Sequence, residues 1–284
     1  MAFRRILLPI TGTAAGESAL HTALTVAQIW NAHVHCLHVR VDARDVAPLA
    51  GEGLSGAMIE EMMAATEREA GERAGRVRAL FERFIADKDV TIADSAEGAQ
   101  KAPGATLSFE SVAGREEDLV AQQSRLYDLA VVAHPDAGED VSSSDALHAV
   151  LFDSGRPVLM APREPPKEIG TRICVAWNGS AESAAAVAAA LPWLHHAQAV
   201  RILHSEDYQR RGPQAEGIAA YLHWHGIACE LTPFKPMTKE VGAGLLGAAR
   251  DLQPFAAAPA DPRRRDAACA GKRGPARADV PLRR

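Results

Sequence analysis

Arg5-Ile-Leu-Leu-Pro-Ile-Thr-Gly-Thr-Ala14 and Arg172-Ile-Cys-Val-Ala-Trp-Asn-Gly-Ser-Ala181 stand 167 residues apart and are two versions of one phrase. Each is a short apolar run closed by a Gly-Thr or Gly-Ser turn. Each leads into an Ala-rich segment with apolar residues at helical spacing: Ala19, Leu20, Ala23, Leu24 and Ala27 in the first, Ala184, Val187, Ala188 and Leu191 in the second. A continuous apolar run feeding an amphipathic helix reads as a buried parallel strand followed by its crossover helix. The repeat sets the architecture before any residue is given a role.

Outward from the first phrase, the sequence predicts strand 3–9, helix 16–30, strand 33–41, a long helix 54–85, strand 106–112, helix 115–126, strand 128–134, a short helix 143–152 and strand 157–161. Strict alternation of strand and helix requires right-handed crossovers and a parallel sheet covered on both faces. In the long helix Met58 and Met62 read as core filler ahead of Val77, Leu80, Phe81 and Phe84. Residues 163–170, with Pro165 and Pro166, read as a linker. The second phrase then opens strand 172–177, helix 182–194, strand 199–204, helix 213–225, strand 228–234 and helix 239–252. The domains expected are 1–162, a shortened second copy over 171–253, and a tail over 254–284.

No apolar run approaches the roughly 20 residues that cross a bilayer, and Met1-Ala-Phe-Arg-Arg leads into a strand rather than a signal-peptide core, so the expected location is cytoplasmic. Cys36, Cys174, Cys229 and Cys269 form no Cys-x-x-Cys pair, which argues against a zinc knuckle or a disulfide framework. Cys36 and Cys174 fall in apolar strand patterns and read as small core residues.

The ordered phrases Ile6-Leu-Leu-Pro-Ile-Thr-Gly-Thr, Cys36-Leu-His-Val, Asp128-Leu-Ala-Val-Val-Ala and Arg156-Pro-Val-Leu-Met-Ala-Pro, with Arg172-Ile-Cys-Val-Ala-Trp-Asn-Gly-Ser and Ile202-Leu-His-Ser in the second half, resemble the universal stress protein family in its tandem form. The resemblance covers about residues 3–252. It implies two Rossmann-like or flavodoxin-like α/β copies with strand order 3-2-1-4-5, here with the second copy incomplete. It also implies that the copies pair within the chain through their fifth strands or that the chain forms a homodimer. In some members it implies ATP held over the carboxyl ends of strands one and four, the point where an open parallel sheet reverses its strand order.

Carried onto this chain, the resemblance places an adenine-nucleotide site at Pro9, Ile10, Thr11, Gly12, Thr13, Val39, Ala133 and His134, and its second version at Ala176, Trp177, Asn178, Gly179 and Ser180. Two departures weaken it. The Asp that follows the first strand in nucleotide-binding members is Thr11 in copy one and Asn178 in copy two; both hydrogen-bond, but neither is an anion. The Gly-x2-Gly-x9-Gly-Ser/Thr loop whose amides would surround phosphates is absent. In its place copy one carries Asp136, Glu139 and Asp140, which oppose a triphosphate, and Ser142–Ser144 ahead of Asp145, which read as a helix cap. ATP or another adenine nucleotide is the one cofactor implied, at weak affinity, with Asp136 added to its lining.

The remaining polar clusters read as structural. On a strand His33 and His35 face one way and His38 the other, so the three cannot converge on a metal. His223 and His225 diverge on a helix, and His195-His196 suit a helix carboxyl end. No Gly-x-Ser-x-Gly elbow appears, and the serines read as turn or cap residues. The chain is therefore read as non-enzymatic, a stress-response regulatory module; the alternative is a nucleotide-dependent enzyme of the adenine-nucleotide α-hydrolase-like group. No membrane or nucleic-acid partner is expected.

From Pro254 to Arg284 there are eight Lys or Arg against three Asp, a local +5, which leaves −10 on the first 253 residues of a chain whose net charge is −5. Phe255, Val280 and Leu282 are the tail's large apolar side chains, too few to offset ordering costs of roughly 1–2 kcal/mol per residue. Disorder is the expectation. The tail also stands where a second copy needs a fourth strand, a glycine loop and a fifth strand. That mismatch, with its Ala/Arg/Pro/Gly bias, reads as a change of frame near codon 253, the alternative being a natural basic tail; translation of the other two frames of the coding DNA decides between them.

Overall fold

In the computed structural model of the chain, residues 2–42, 55–135, 141–235 and 241–250 are described. The acidic loop residues Asp136, Glu139 and Asp140 and the basic tail lie outside them. The chain divides into two compact units, Met1–Ile169 with Ala188–Pro192, and Gly170–Val187 with Trp193 onward.

The first unit begins with β1 (Arg5–Pro9), four of whose five residues are buried. Thr13 then turns the chain into α1 (Ala14–Trp30): its hydroxyl accepts the Gly16 amide, satisfying one of the orphan donors of the first turn. Asn31 closes the helix in the left-handed region, at φ 51°. There follow β2 (His33–Arg40), the long α2 (Gly56–Lys88), β3 (Thr91–Ile92), α3 (Ala96–Lys101), β4 (Thr106–Ala113), α4 (Glu116–Ser124), β5 (Leu129–Val132), α5 (Val141–His148) with a π-helical continuation over Ala149–Ser154, and β6 (Val158–Met160). All six strands are parallel in the order β3-β4-β2-β1-β5-β6. This is the expected 3-2-1-4-5 sheet with the two-residue β3 added at one edge.

Leu7 and Leu37 on one sheet face pack with Val120, Ala121 and Val150 from α4 and the α5 continuation. Ile6, Leu8, Val34 and Leu107 are likewise buried. Burial of each such side chain contributes about 1.5–3 kcal/mol, which fixes which strand face points inward.

Beyond Gly170 the chain forms β7 (Arg172–Trp177), α6 (Ala181–His196), β8 (Ala199–His204), a single 3-10 turn (Glu206–Tyr208), α7 (Ala215–Trp224), β9 (Glu230–Pro233) and α8 (Val241–Arg250). Its smaller parallel sheet runs β7-β8-β9, the same arrangement as β1-β2-β4 of the first.

Three expectations need correction. Met58 is 53% exposed and Met62 half-buried; the buried residues of α2 are Val77, Leu80, Phe81 and Phe84. A helix of 33 residues is about 50 Å long, roughly twice an eight-residue strand, so its first half extends past the sheet. Cys174 is exposed rather than core, because the alternation of β7 turns Val175 and Trp177 inward. Finally, α5 begins at Val141, so Ser142–Ser144 lie inside its first turn rather than ahead of it.

Candidate functional site

The pairing of Pro9 with Leu37 and of Leu7 with Ala130 sets the carboxyl ends of β1, β2 and β5 side by side. The fold thus gathers the first-copy residues that the sequence nominates. Pro9, Ile10, Thr11 and Ala133 are buried there, and Gly12, Thr13, Val39 and His134 are half-buried.

The hydroxyls of this turn meet one another. Thr11 Oγ1 lies 2.9 Å from Thr13 Oγ1, and Thr13 Oγ1 also accepts the Gly16 amide at 3.1 Å. The Ile10 amide donates to the Leu37 carbonyl at 2.9 Å, and the Ile10 carbonyl lies 3.3 Å from Nδ1 of the buried His38. Gly12 packs against α2: a Cβ placed on it would stand 3.4 Å from Arg76 Cβ and Val77 Cγ2. Residue 11 thus offers a short hydroxyl, and a helix lies in van der Waals contact with the turn.

The second unit closes its equivalent turn differently. Asn178 Oδ1 accepts the Ser180 amide at 3.0 Å, its carbonyl accepts the Arg210 amide at 2.6 Å, and Trp177 Nε1 donates to the Pro213 carbonyl at 3.0 Å. Gly179 has φ +77°, and a Cβ there would lie 2.9 Å from the Pro213 carbonyl oxygen. Residues 209–213 therefore cover Trp177, Asn178 and Gly179, whereas Ala176 is exposed and Ser180 caps α6.

A different cluster lies at the opposite, amino-terminal half of the first sheet. There a groove of about 1020 Å³ is lined by Arg5, His33, His35, Ser108, Glu110 and Tyr127, among others. It exists because α4 has nine residues, about 14 Å, and covers Leu37 but not the start of β2. His33 and His35 share the face of the sheet that opens into it. Burial, together with His35 and the Arg5 charge, lowers the His33 pKa to about 4. His35 is also lowered by burial, against the opposing pull of Glu110. Burial raises the Tyr127 phenol, whose ring carries the Arg5 guanidinium 4.3 Å above its centroid.

Sequence reasoning placed His33 and His35 on one face but missed their partners. Register alone, pairing His33 with Thr106 and His35 with Ser108, was the signal that could have found them. Among the described residues no group of three or more His, Cys, Asp or Glu could hold a metal ion.

A model of the universal stress protein family matches residues 2–161. The chain belongs to the universal stress protein family. The match spans the first unit. Solved structures similar to the chain include the universal stress protein UspA from Lactobacillus plantarum, 15% identical, covering 57% of this chain and 99% of that one at a TM-score of 0.36. Another is a universal stress protein from Archaeoglobus fulgidus, 16% identical over 81% and 77% of the two chains, with a TM-score of 0.48. A third is a universal stress protein solved in complex with cAMP, 16% identical over 58% and 100%, with a TM-score of 0.32. A comparison with curated proteins finds no match. Among the described residues no helix is long and apolar enough to cross a membrane.

Proposed function

We propose that this universal stress protein is a cytoplasmic regulatory module in the tandem form. Its second unit is a shortened copy, and it acts by binding partners rather than by chemistry at its strand ends. In this reading adenine nucleotides bind at most weakly, over Thr11–Thr13, Val39 and Ala133–His134. The observation that carries it is the Thr11–Thr13 hydroxyl pair closed beneath Gly12, with Val77 and Arg76 of α2 against the glycine. A nucleotide here meets hydroxyls that already share a hydrogen bond, and it gains no carboxylate contact from residue 11. The partner surface is the edge strand β6, where Met160 is 47% exposed; pairing there joins two chains.

Purified full-length protein, denatured and its small-molecule fraction analysed by mass spectrometry, tests this. The reading expects at most substoichiometric adenine nucleotide. One bound nucleotide per chain would overturn it.

A further inference from the structure

His33, Ser108, His35 and Glu110 form an unbroken hydrogen-bonded row along the floor of the groove, across the β2–β4 pair. His33 Nδ1 is 2.8 Å from Thr106 Oγ1 and its Nε2 is 2.9 Å from Ser108 Oγ. His35 Nδ1 is 2.9 Å from the same Ser108 Oγ, and its Nε2 is 3.2 Å from Glu110 Oε2. The carboxylate dictates where every proton lies, because it can only accept. His35 Nε2–H therefore donates to Glu110, which leaves Nδ1 an acceptor. Ser108 O–H donates to that Nδ1. Ser108 Oγ in turn accepts Nε2–H of His33, whose Nδ1 accepts the Thr106 hydroxyl. Both rings are neutral in this chain, in keeping with the lowered pKa of each.

We propose that Ser108 is an activated nucleophile and that the groove is an acyl-transfer site for small esters, separate from the strand-end nucleotide region. A serine hydroxyl held on an imidazole whose far nitrogen meets a carboxylate is the arrangement that makes serine reactive. Ser108 Oγ attacks the ester carbonyl carbon while its proton passes to His35 Nδ1. Glu110 faces the imidazolium that results. The bond to the alcohol oxygen then breaks, that oxygen takes the proton from His35, and an acyl-serine remains. Water reverses the sequence: it gives a proton to His35, bonds to the carbonyl carbon and releases the carboxylic acid as Ser108 recovers its hydrogen. His33 and Glu110 are positioning residues, the first fixing Oγ and the second the His35 tautomer. Tyr127, stacked on His35 at 6.0 Å, is the aromatic ring that lines the groove beside the reacting pair.

The test treats full-length protein with a fluorophosphonate probe and maps the adduct by mass spectrometry. The expected result is one phosphonyl group on Ser108, formed as the Oγ–P bond replaces P–F. It should be absent in S108A and at least about tenfold slower in H35Q. E110Q, which alters an exposed side chain, should label more slowly, with the pH inflection of labelling moved down, since removing the carboxylate makes His35 harder to protonate. Circular dichroism of each variant checks that it is folded. No adduct on Ser108 of the unaltered protein, or labelling at an unchanged rate and pH profile in H35Q and E110Q, overturns the proposal.

Discussion

Acid should weaken the first unit through His33, and the size of the effect follows from its surroundings. The ring is half-buried beside His35 and Arg5, and its pKa falls from 6.5 to about 4 on folding. A depressed pKa means that the unfolded chain takes up the proton first as pH falls. Above pH 7 both states are neutral and stability is intact; it declines between pH 6.5 and 4 and levels off below. At pH 4.5 such a shift costs about 2.5 kcal/mol if unscreened, and solvent around a half-exposed ring reduces this to about 1–2 kcal/mol. The perturbation is a change from pH 7.5 to 4.5 in unaltered protein and in H33Q, which cannot titrate. Urea unfolding read by pulsed hydrogen exchange of β2 and β4 peptides reports this unit alone. The unaltered protein should lose about 1–2 kcal/mol more than H33Q over that interval. His35, lowered by burial, titrates in both proteins. Equal losses, within about 0.3 kcal/mol, would refute the reasoning.

Two further outcomes follow from packing. Gly16→Ala should destabilise the first unit by about 1–3 kcal/mol, because a Cβ there stands 2.6 Å from Thr11 Oγ1 and closer still to the Thr11 carbonyl; a thermal melt that rises, as Gly to Ala in an open helix position would give, contradicts the packed turn. Amides of Val158–Met160 should exchange at least ~100-fold more slowly than an unprotected edge, about 2.7 kcal/mol of opening free energy, if β6 is the pairing edge. Exchange at the rate of a free edge removes that role.

The buried strands were legible because burial on both faces writes continuous apolar runs, and the repeat of Arg5–Ala14 in Arg172–Ala181 set the first strand of each sheet, whereas the strand order came from the family resemblance. Two small elements were not. β3 has two residues, too few for any period to show, and α3 is six mostly small or polar residues without an apolar stripe. Cys174 and Met58 were misplaced because apolar character alone does not say whether a neighbouring layer exists to cover it. The strand-end turns were found, since they follow directly from strand ends in sequence. The row His33–Ser108–His35–Glu110 was not, because it joins residues 73 or more positions apart through a register that only the paired strands reveal. Its serine sits mid-strand, where neither turn nor cap chemistry calls for one.

The central claim is that the turn after β1 pairs its hydroxyls with each other and offers a nucleotide no carboxylate. Isothermal calorimetry of full-length protein with Mg-ATP tests it most directly. The account predicts no binding tighter than a Kd of about 10 µM, or about −7 kcal/mol. A Kd below that, abolished by changing Thr11 and Gly12, would contradict it.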